Sequence, residues 1–165
     1  MFACEHENVT PDVMLLGKCL GGGFPVGAIL VTEAVSGTIQ KGDHGGTYGG
    51  NPLACAAVVA VLEELADGSV LANTRAAGAL ATQRFESLQA ELPSKVVDVR
   101  GVGLLVGCEL ASPGLAADVA ARCLADGVLV NIAQGRVLRV FPNLNIELDA
   151  LTLGLDTVER ALRAA

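Results

Sequence analysis

An α/β or α+β fold is predicted for this 165-residue sequence, because apolar runs of strand length alternate with longer helical patterns. Two loops, at residues 17–23 and 42–50, are too rich in glycine for regular structure and separate the first elements. Hydrophobic residues make up 52% of the chain, enough apolar surface for one domain or two small ones.

Short apolar runs predict six strands, at residues 13–16, 26–31, 96–99, 103–110, 128–130 and 137–140. The first two contain hardly any polar residues, so we expect them to be buried. Arg100 and Gly101 are expected to form the turn between the third and fourth strands.

Four helices are predicted, at residues 53–66, 69–92, 115–125 and 148–162. Asn51 and Pro52 resemble an N-cap followed by proline at the first helical position, and Ser69 is a candidate cap for the second helix. The first helix is apolar nearly all round and is expected to be buried. The second and fourth carry one apolar stripe each, formed by Ala81, Phe85, Leu88 and Leu92 and by Leu151, Leu155, Val158 and Leu162.

The formal charge of −7 and the absence of a basic run argue against binding to nucleic acid or to an anionic membrane. The N-terminus lacks the features of a signal peptide, and no apolar stretch is long enough to span a bilayer, so a soluble, cytoplasmic protein is expected. Five widely spaced cysteines, mostly in apolar surroundings, predict buried free thiols and no metal site.

Lys18 directly follows the first strand and precedes three glycines. A lysine at a strand end is usually a solvated surface charge. Glycines, however, let a ligand approach the backbone closely, and a desolvated lysine loses its proton readily enough to act as a nucleophile. The segment matches neither a dinucleotide-binding loop nor a P-loop.

Thr47 lies among glycines just ahead of the predicted helix that begins after Asn51. A hydroxyl in that position suits anion binding, because backbone N–H groups and the helix dipole both favour negative charge there. A flexible surface loop is the alternative.

Arg139 is embedded in the apolar strand 137–140, where its charge needs a partner. That partner is either a carboxylate of the protein itself or a carboxylate ligand held by the guanidinium fork.

Three segments together resemble a known family. Residues 11–28, PDVMLLGKCLGGGFPVGA, resemble the lysine segment of the class III aminotransferases, which use pyridoxal phosphate, and residues 46–55, GTYGGNPLAC, resemble a second family motif. Residues 128–131, VLVN, and 137–146, VLRVFPNLNI, are similar to the C-terminal part of the acetylornithine aminotransferases.

The resemblance implies a fold-type I pyridoxal-phosphate-dependent transferase and a role for each candidate residue. Lys18 would carry the cofactor and move the proton, Thr47 would bind the cofactor phosphate from the neighbouring subunit of a homodimer, and Arg139 would grip the substrate α-carboxylate. The implied reaction transfers an amino group between N-acetylornithine and 2-oxoglutarate, in arginine biosynthesis. Ornithine, succinylornithine and 4-aminobutyrate aminotransferases are alternatives, as is a non-catalytic truncated chain.

Members of this family are much longer. By resemblance, residues 1–92 form the C-terminal part of the cofactor-binding large domain with connecting helices, and residues 93–165 form the C-terminal small domain. The family's phosphate loop, stacking ring and pyridinium-pairing Asp have no counterpart in this sequence, so we expect a partial sequence that is inactive by itself. Without their neighbours, the strands at residues 13–16 and 26–31 are expected to leave unpaired edges and exposed apolar faces in this chain.

Overall fold

A computed structural model describes residues 1–165, which form two compact units, Met1–Ser69 and Val70–Ala165. The chain combines six strands with helices. The predicted boundary between large and small domain, near residue 92, falls within the second unit, because the long helix before it packs with the sheet that follows.

The first unit contains strands β1 (Val13–Leu16) and β2 (Ala28–Val31), which pair antiparallel with Val13 opposite Val31. Helix α1 (Glu33–Ser36) follows, and helix α2 (Pro52–Asp67) closes the unit. The predicted cap of α2 is confirmed, since the Asn51 side-chain oxygen accepts a hydrogen bond from the Ala54 amide at 2.9 Å.

Helix α2 is not buried as expected, and the apolar faces of β1 and β2 are exposed, as expected for strands that lack neighbours. Leu15 is 72% exposed and Ile29 61%, and Leu53 on α2 is 68% exposed. A two-stranded ribbon and one helix cannot cover their apolar faces on both sides, so hydrophobic composition alone did not determine burial. Two cysteines of this unit, Cys19 and Cys55, are also exposed, whereas buried thiols were expected.

The second unit begins with helix α3 (Ser69–Glu91) and continues with strands β3 (Val96–Val102) and β4 (Leu105–Leu110). Helix α4 (Pro113–Ala125), strands β5 (Asn131–Ala133) and β6 (Val137–Val140), and helix α5 (Leu148–Ala164) complete it. The antiparallel sheet has the order β3-β4-β6-β5.

The core of the second unit is aliphatic around one aromatic side chain, Phe85. The helical stripes that the sequence predicts are confirmed at the buried positions, which are Ala81, Phe85, Leu88, Leu151, Leu155, Val158 and Leu162. From β4 and β6, Cys108 and Leu138 lie opposite each other and point into the same core.

Four details of the predicted elements are wrong. The turn between β3 and β4 lies at Gly103 and Leu104, because Gly103 adopts a left-handed φ of +56° and Gly101 pairs with Val106 within the ladder. Residues 128–130 form no strand, and β5 starts only at Asn131. Ser69 is the first residue of α3 and not the cap before it, and its amide donates to Asp67 Oδ1 at 3.0 Å. The first glycine loop contains a short 3-10 helix, Lys18–Gly21.

Candidate active site

Lys18 follows β1 after one residue and opens the 3-10 helix Lys18–Gly21. Its φ of +53° is in the left-handed region, which non-glycine residues adopt only at a cost of about 1–3 kcal/mol. One hydrogen bond spans Lys18, from Leu20 N–H to Gly17 O, and another follows it, from Gly22 N–H to Cys19 O, both at 3.1 Å. Asn8 and Gln134 adopt the same left-handed conformation, so the backbone of Lys18 is unusual for its residue type but not unique in the chain.

Two glycines after Lys18, Gly21 and Gly22, allow the loop to pack closely against Val26 and against helix α2. A Cβ on Gly21 would lie 2.6 Å from Val26 Cγ1, and one on Gly22 would lie 3.0 Å from Val61 Cγ2 of α2. Gly23, in contrast, has open space where a side chain would be. The Lys18 side chain is exposed, so the expected desolvation of its amine is not found within this chain.

Thr47 lies exposed in a turn that precedes α2. Asn51 connects this turn to the helix, because its side-chain N–H donates to Tyr48 O at 3.0 Å while its side-chain oxygen caps α2. The adjacent glycines, Gly45 and Gly46, have no atom within 4 Å of a would-be Cβ. No hydrogen bond joins Lys18 to Thr47, although both belong to the first unit.

Arg139 belongs to the second unit, on β6, between Gly107 of β4 and Asn131 of β5. Because Leu138 and Cys108 point into the core, Arg139 points to the opposite face of the sheet. Gly107 places no side chain beside it. On the β4 side, this row of the sheet therefore places no cross-strand side chain beside Arg139.

The first alternative for Arg139, a carboxylate of the protein itself, is not found. Glu109 pairs with Val137 in the ladder and is the carboxylate next along this face. Its two oxygens are already bound, to Arg100 at 2.8 Å and to Arg136 at 2.6 Å. Arg139 takes part in none of the ion pairs, and its buried Nε has no hydrogen-bond partner.

The guanidinium of Arg139 stacks instead on Phe141, with 4.7 Å between its central carbon and the ring centroid. Both residues line a cleft of about 470 Å³ in which Arg139 is the only charged residue. Its walls are mostly apolar and come from the segment before β5, the segment after β6 and one side of α5. Arg139 is therefore the one residue lining this mostly apolar cleft that could pair with a carboxylate of a small ligand.

Sequence reasoning missed the stacking of Phe141 and the cleft. The contact with Phe141 could have been predicted from the sequence, because Phe141 is two positions after Arg139 and side chains two positions apart lie on the same side of an extended chain. The cleft could not, since its walls come from three separate segments.

The structure contains no group of three or more His, Cys, Asp or Glu side chains arranged to hold a metal ion. None of its helices combines the length and apolarity that crossing a bilayer requires.

The sequence profile of Aminotransferase class-III matches residues 1–162. The chain belongs to the class III aminotransferases. This aminotransferase chain is 42% identical over 165 residues to the acetylornithine aminotransferase of Methanocaldococcus jannaschii, a match that covers 96% of this chain and 40% of the relative. It is 40% identical over 158 residues to the mitochondrial acetylornithine aminotransferase of Yarrowia lipolytica, covering 96% of this chain and 38% of the relative.

Solved structures agree on the fold. An acetylornithine aminotransferase from Elizabethkingia anophelis matches with a TM-score of 0.90 and 32% identity, over 99% of this chain and 41% of that one. The ornithine aminotransferase of Toxoplasma gondii also matches with a TM-score of 0.90 and 32% identity, over 98% of this chain and 39% of that one. The α/β class and the family that the sequence predicts are therefore confirmed. This class III aminotransferase chain spans about two fifths of the length of the relatives it matches.

Proposed function

We propose that this chain supplies Lys18, Thr47 and Arg139 to the active site of a pyridoxal-phosphate-dependent aminotransferase. The proposed reaction moves an amino group between N-acetylornithine, or a related ω-amino acid, and 2-oxoglutarate. The observation that carries the proposal is the state of Arg139, whose buried Nε lacks a partner while the neighbouring Glu109 is bound by other arginines. A guanidinium in that state is available to a carboxylate ligand.

The residues present fit the proposed cofactor in chemical type. Lys18 offers an exposed amine on a strained turn beside the open space at Gly23, and Thr47 offers a hydroxyl in a glycine-rich turn ahead of α2. Pyridoxal phosphate, when bound, supplies an electron sink that stabilises negative charge on the substrate carbon.

The two units then have different proposed tasks. Lys18 Nζ would hold the cofactor and transfer a proton at the reacting carbon, and Arg139 would fix the substrate by its carboxylate. The Thr47 hydroxyl would donate to the cofactor phosphate of the neighbouring subunit of a homodimer. We further propose that residues 1–92 and 93–165 correspond to the end of the large domain and to the small domain.

Ornithine is a second candidate amino donor, because structures named as ornithine aminotransferases match this chain as well as those of acetylornithine aminotransferases do. The cleft at Arg139 would bind the carboxylate common to both donors, so it does not distinguish between them.

The proposal is tested with a polypeptide of the relatives' length that carries this sequence. We expect amino transfer from N-acetylornithine to 2-oxoglutarate when pyridoxal phosphate is added. Arg139→Lys should lower kcat/KM for both substrates, because a point charge replaces a planar fork, with a loss of about 1.5–3 kcal/mol per charge-assisted contact. Arg75→Lys, on an exposed arginine of α3, is the matched control. Unchanged kinetics in Arg139→Lys would contradict the proposed role.

A further inference from the structure

The segment that follows β6 is held in place by the start of α3. The Asn73 side-chain amide donates to two backbone carbonyls of this segment, Leu144 O at 2.9 Å and Ile146 O at 3.0 Å. The neighbouring Thr74 hydroxyl lies 3.2 Å from the same Leu144 carbonyl. One side chain thus uses both of its N–H groups on two carbonyls about 70 residues away.

The segment at residues 141–146 contributes directly to the surroundings of Arg139. It begins with Phe141, whose ring stacks on the guanidinium, and Pro142 and Ile146 line the same cleft. Within the segment, the Ile146 amide donates to Asn143 O at 3.1 Å. A shift of the segment would therefore move the Phe141 ring and one wall of the cleft together.

We infer that Asn73 is a positioning residue for the carboxylate site at Arg139. It acts through residues 141–146. Its two hydrogen bonds fix the backbone of this segment, and the segment in turn fixes the Phe141 ring. The ring then fixes the position of the Arg139 guanidinium, which it contacts. The inference rests on the proposed function of Arg139 as a carboxylate-binding residue. Asn73 itself does not touch the proposed ligand.

The test is a titration with 2-oxoglutarate of a polypeptide of the relatives' length that carries this sequence, followed by NMR at the Nε–H of Arg139. Asn73→Asp keeps the size of the side chain but replaces the donating NH₂ with an acceptor that faces two carbonyls. We expect 2-oxoglutarate affinity to fall about tenfold, as on removal of supporting hydrogen bonds behind a binding group. The ring-current shift that Phe141 imposes on the Arg139 side chain should change even without ligand.

Gln89→Glu is the matched control. Gln89 lies on the same helix, and its side-chain amide donates to a backbone carbonyl, Val97 O, at 2.8 Å, but Val97 is not part of the cleft. This variant makes the same change from amide to carboxylate and should leave both readouts unchanged. Asn73→Ala, which removes the donors without adding charge, serves as a second variant should Asn73→Asp fail to fold.

The outcomes distinguish the positioning role of Asn73 from the proposed carboxylate binding by Arg139. Binding that is lost in Arg139→Met but unaffected in both Asn73 variants would overturn the positioning role and leave the proposed function standing. Equal loss in Asn73→Asp and Gln89→Glu would show a general destabilisation of α3 and would also overturn it. If the wild-type polypeptide of the relatives' length shows no binding that Arg139→Met diminishes, the proposed function of Arg139 and the inference both fail.

Discussion

Arg139 and Phe141 form a stacked pair, with the guanidinium carbon 4.7 Å from the ring centroid. The ring lies against the guanidinium, whose buried Nε has no hydrogen-bond partner in the chain. Such a contact is worth about 0.5–1 kcal/mol at an exposed site, and the Phe141 side chain is about half exposed. The pair orients a cation that no carboxylate of the chain neutralises.

Phe141→Leu should therefore weaken 2-oxoglutarate binding by about two- to fivefold, because leucine keeps apolar volume but offers no π face. The NMR titration at the Arg139 Nε–H measures this change in 2-oxoglutarate affinity. Phe141→Tyr, which retains an aromatic ring, is the conservative control. Full affinity in Phe141→Leu would show that the stacking has no part in binding.

Gly78 should be intolerant of substitution. A Cβ there would lie 2.3 Å from Gly103 O, a backbone atom in the β3–β4 turn. Gly78→Ala should lower the free energy of unfolding by about 3 kcal/mol, since α3 must move away from the turn. Gly154→Ala on α5 is the control, because nothing lies within 4 Å of the added methyl group.

In that control the helix propensity of alanine should raise the free energy of unfolding by about 0.5–1 kcal/mol. Urea denaturation of the two variants measures both effects. Equal stability of Gly78→Ala and the wild type would contradict the close contact between α3 and the β3–β4 turn.

Cys108 should make the stability of the second unit fall at high pH. Burial, with a smaller contribution from the negative charge of Asp98, raises the pKa of the Cys108 thiol from 9.0 to about 12. Between these values the unfolded chain loses the thiol proton while the folded chain keeps it. The stabilisation is thus complete below pH 9 and is lost as the pH rises towards 12.

The slope of unfolding free energy against pH, compared between the wild type and Cys108→Ala, measures this effect. The variant should show a shallower decline above pH 9. A thiol reagent should also modify the exposed Cys19 and Cys55 in the folded chain, and Cys108 only after unfolding. Rapid modification of Cys108 under native conditions would show that it is not buried.

The two units should differ in stability. Residues 1–69 bury only Leu20, Gly21 and Ala54, whereas the second unit has a continuous core from Ala77 to Leu162. Amide exchange of the 165-residue chain should show strong protection in α3, β4 and α5 and little in β1 and β2. Equal protection of both units would contradict this difference.

The 165-residue chain alone should show no transaminase turnover with N-acetylornithine, 2-oxoglutarate and added pyridoxal phosphate.

Much of the second unit was predictable from local patterns. The stripe through Phe85 and Leu88 has helical spacing, and Asp126 and Gly127 end α4 as a C-terminal signal predicts. The β3–β4 turn was predicted at Arg100 and Gly101, but Gly101 and Gly103 both have positive φ. Only the pairing of Gly101 with Val106 distinguishes them, and that pairing is not a local property.

The candidate site was predictable where one residue stands out from its neighbours. Lys18 and Arg139 are charged residues in apolar or glycine-rich runs, and both could be named from sequence. The link between Asn73 and Leu144 could not, because the two residues are 71 positions apart and an Asn in a helix is an ordinary surface residue. The exposure of Leu15 was predictable only by resemblance to a longer family, since burial depends on what covers a strand.

The covalent attachment of pyridoxal phosphate at Lys18 is the most direct measurement. A polypeptide of the relatives' length that carries this sequence is loaded with pyridoxal phosphate, reduced with borohydride, digested and analysed by mass spectrometry, with Lys18→Ala as control. The expected result is a pyridoxyl group on the peptide that contains Lys18, absent from the control. A pyridoxyl group on Lys41 or Lys95 instead, or equal labelling of the control, would contradict the assignment of Lys18 as the cofactor-binding residue.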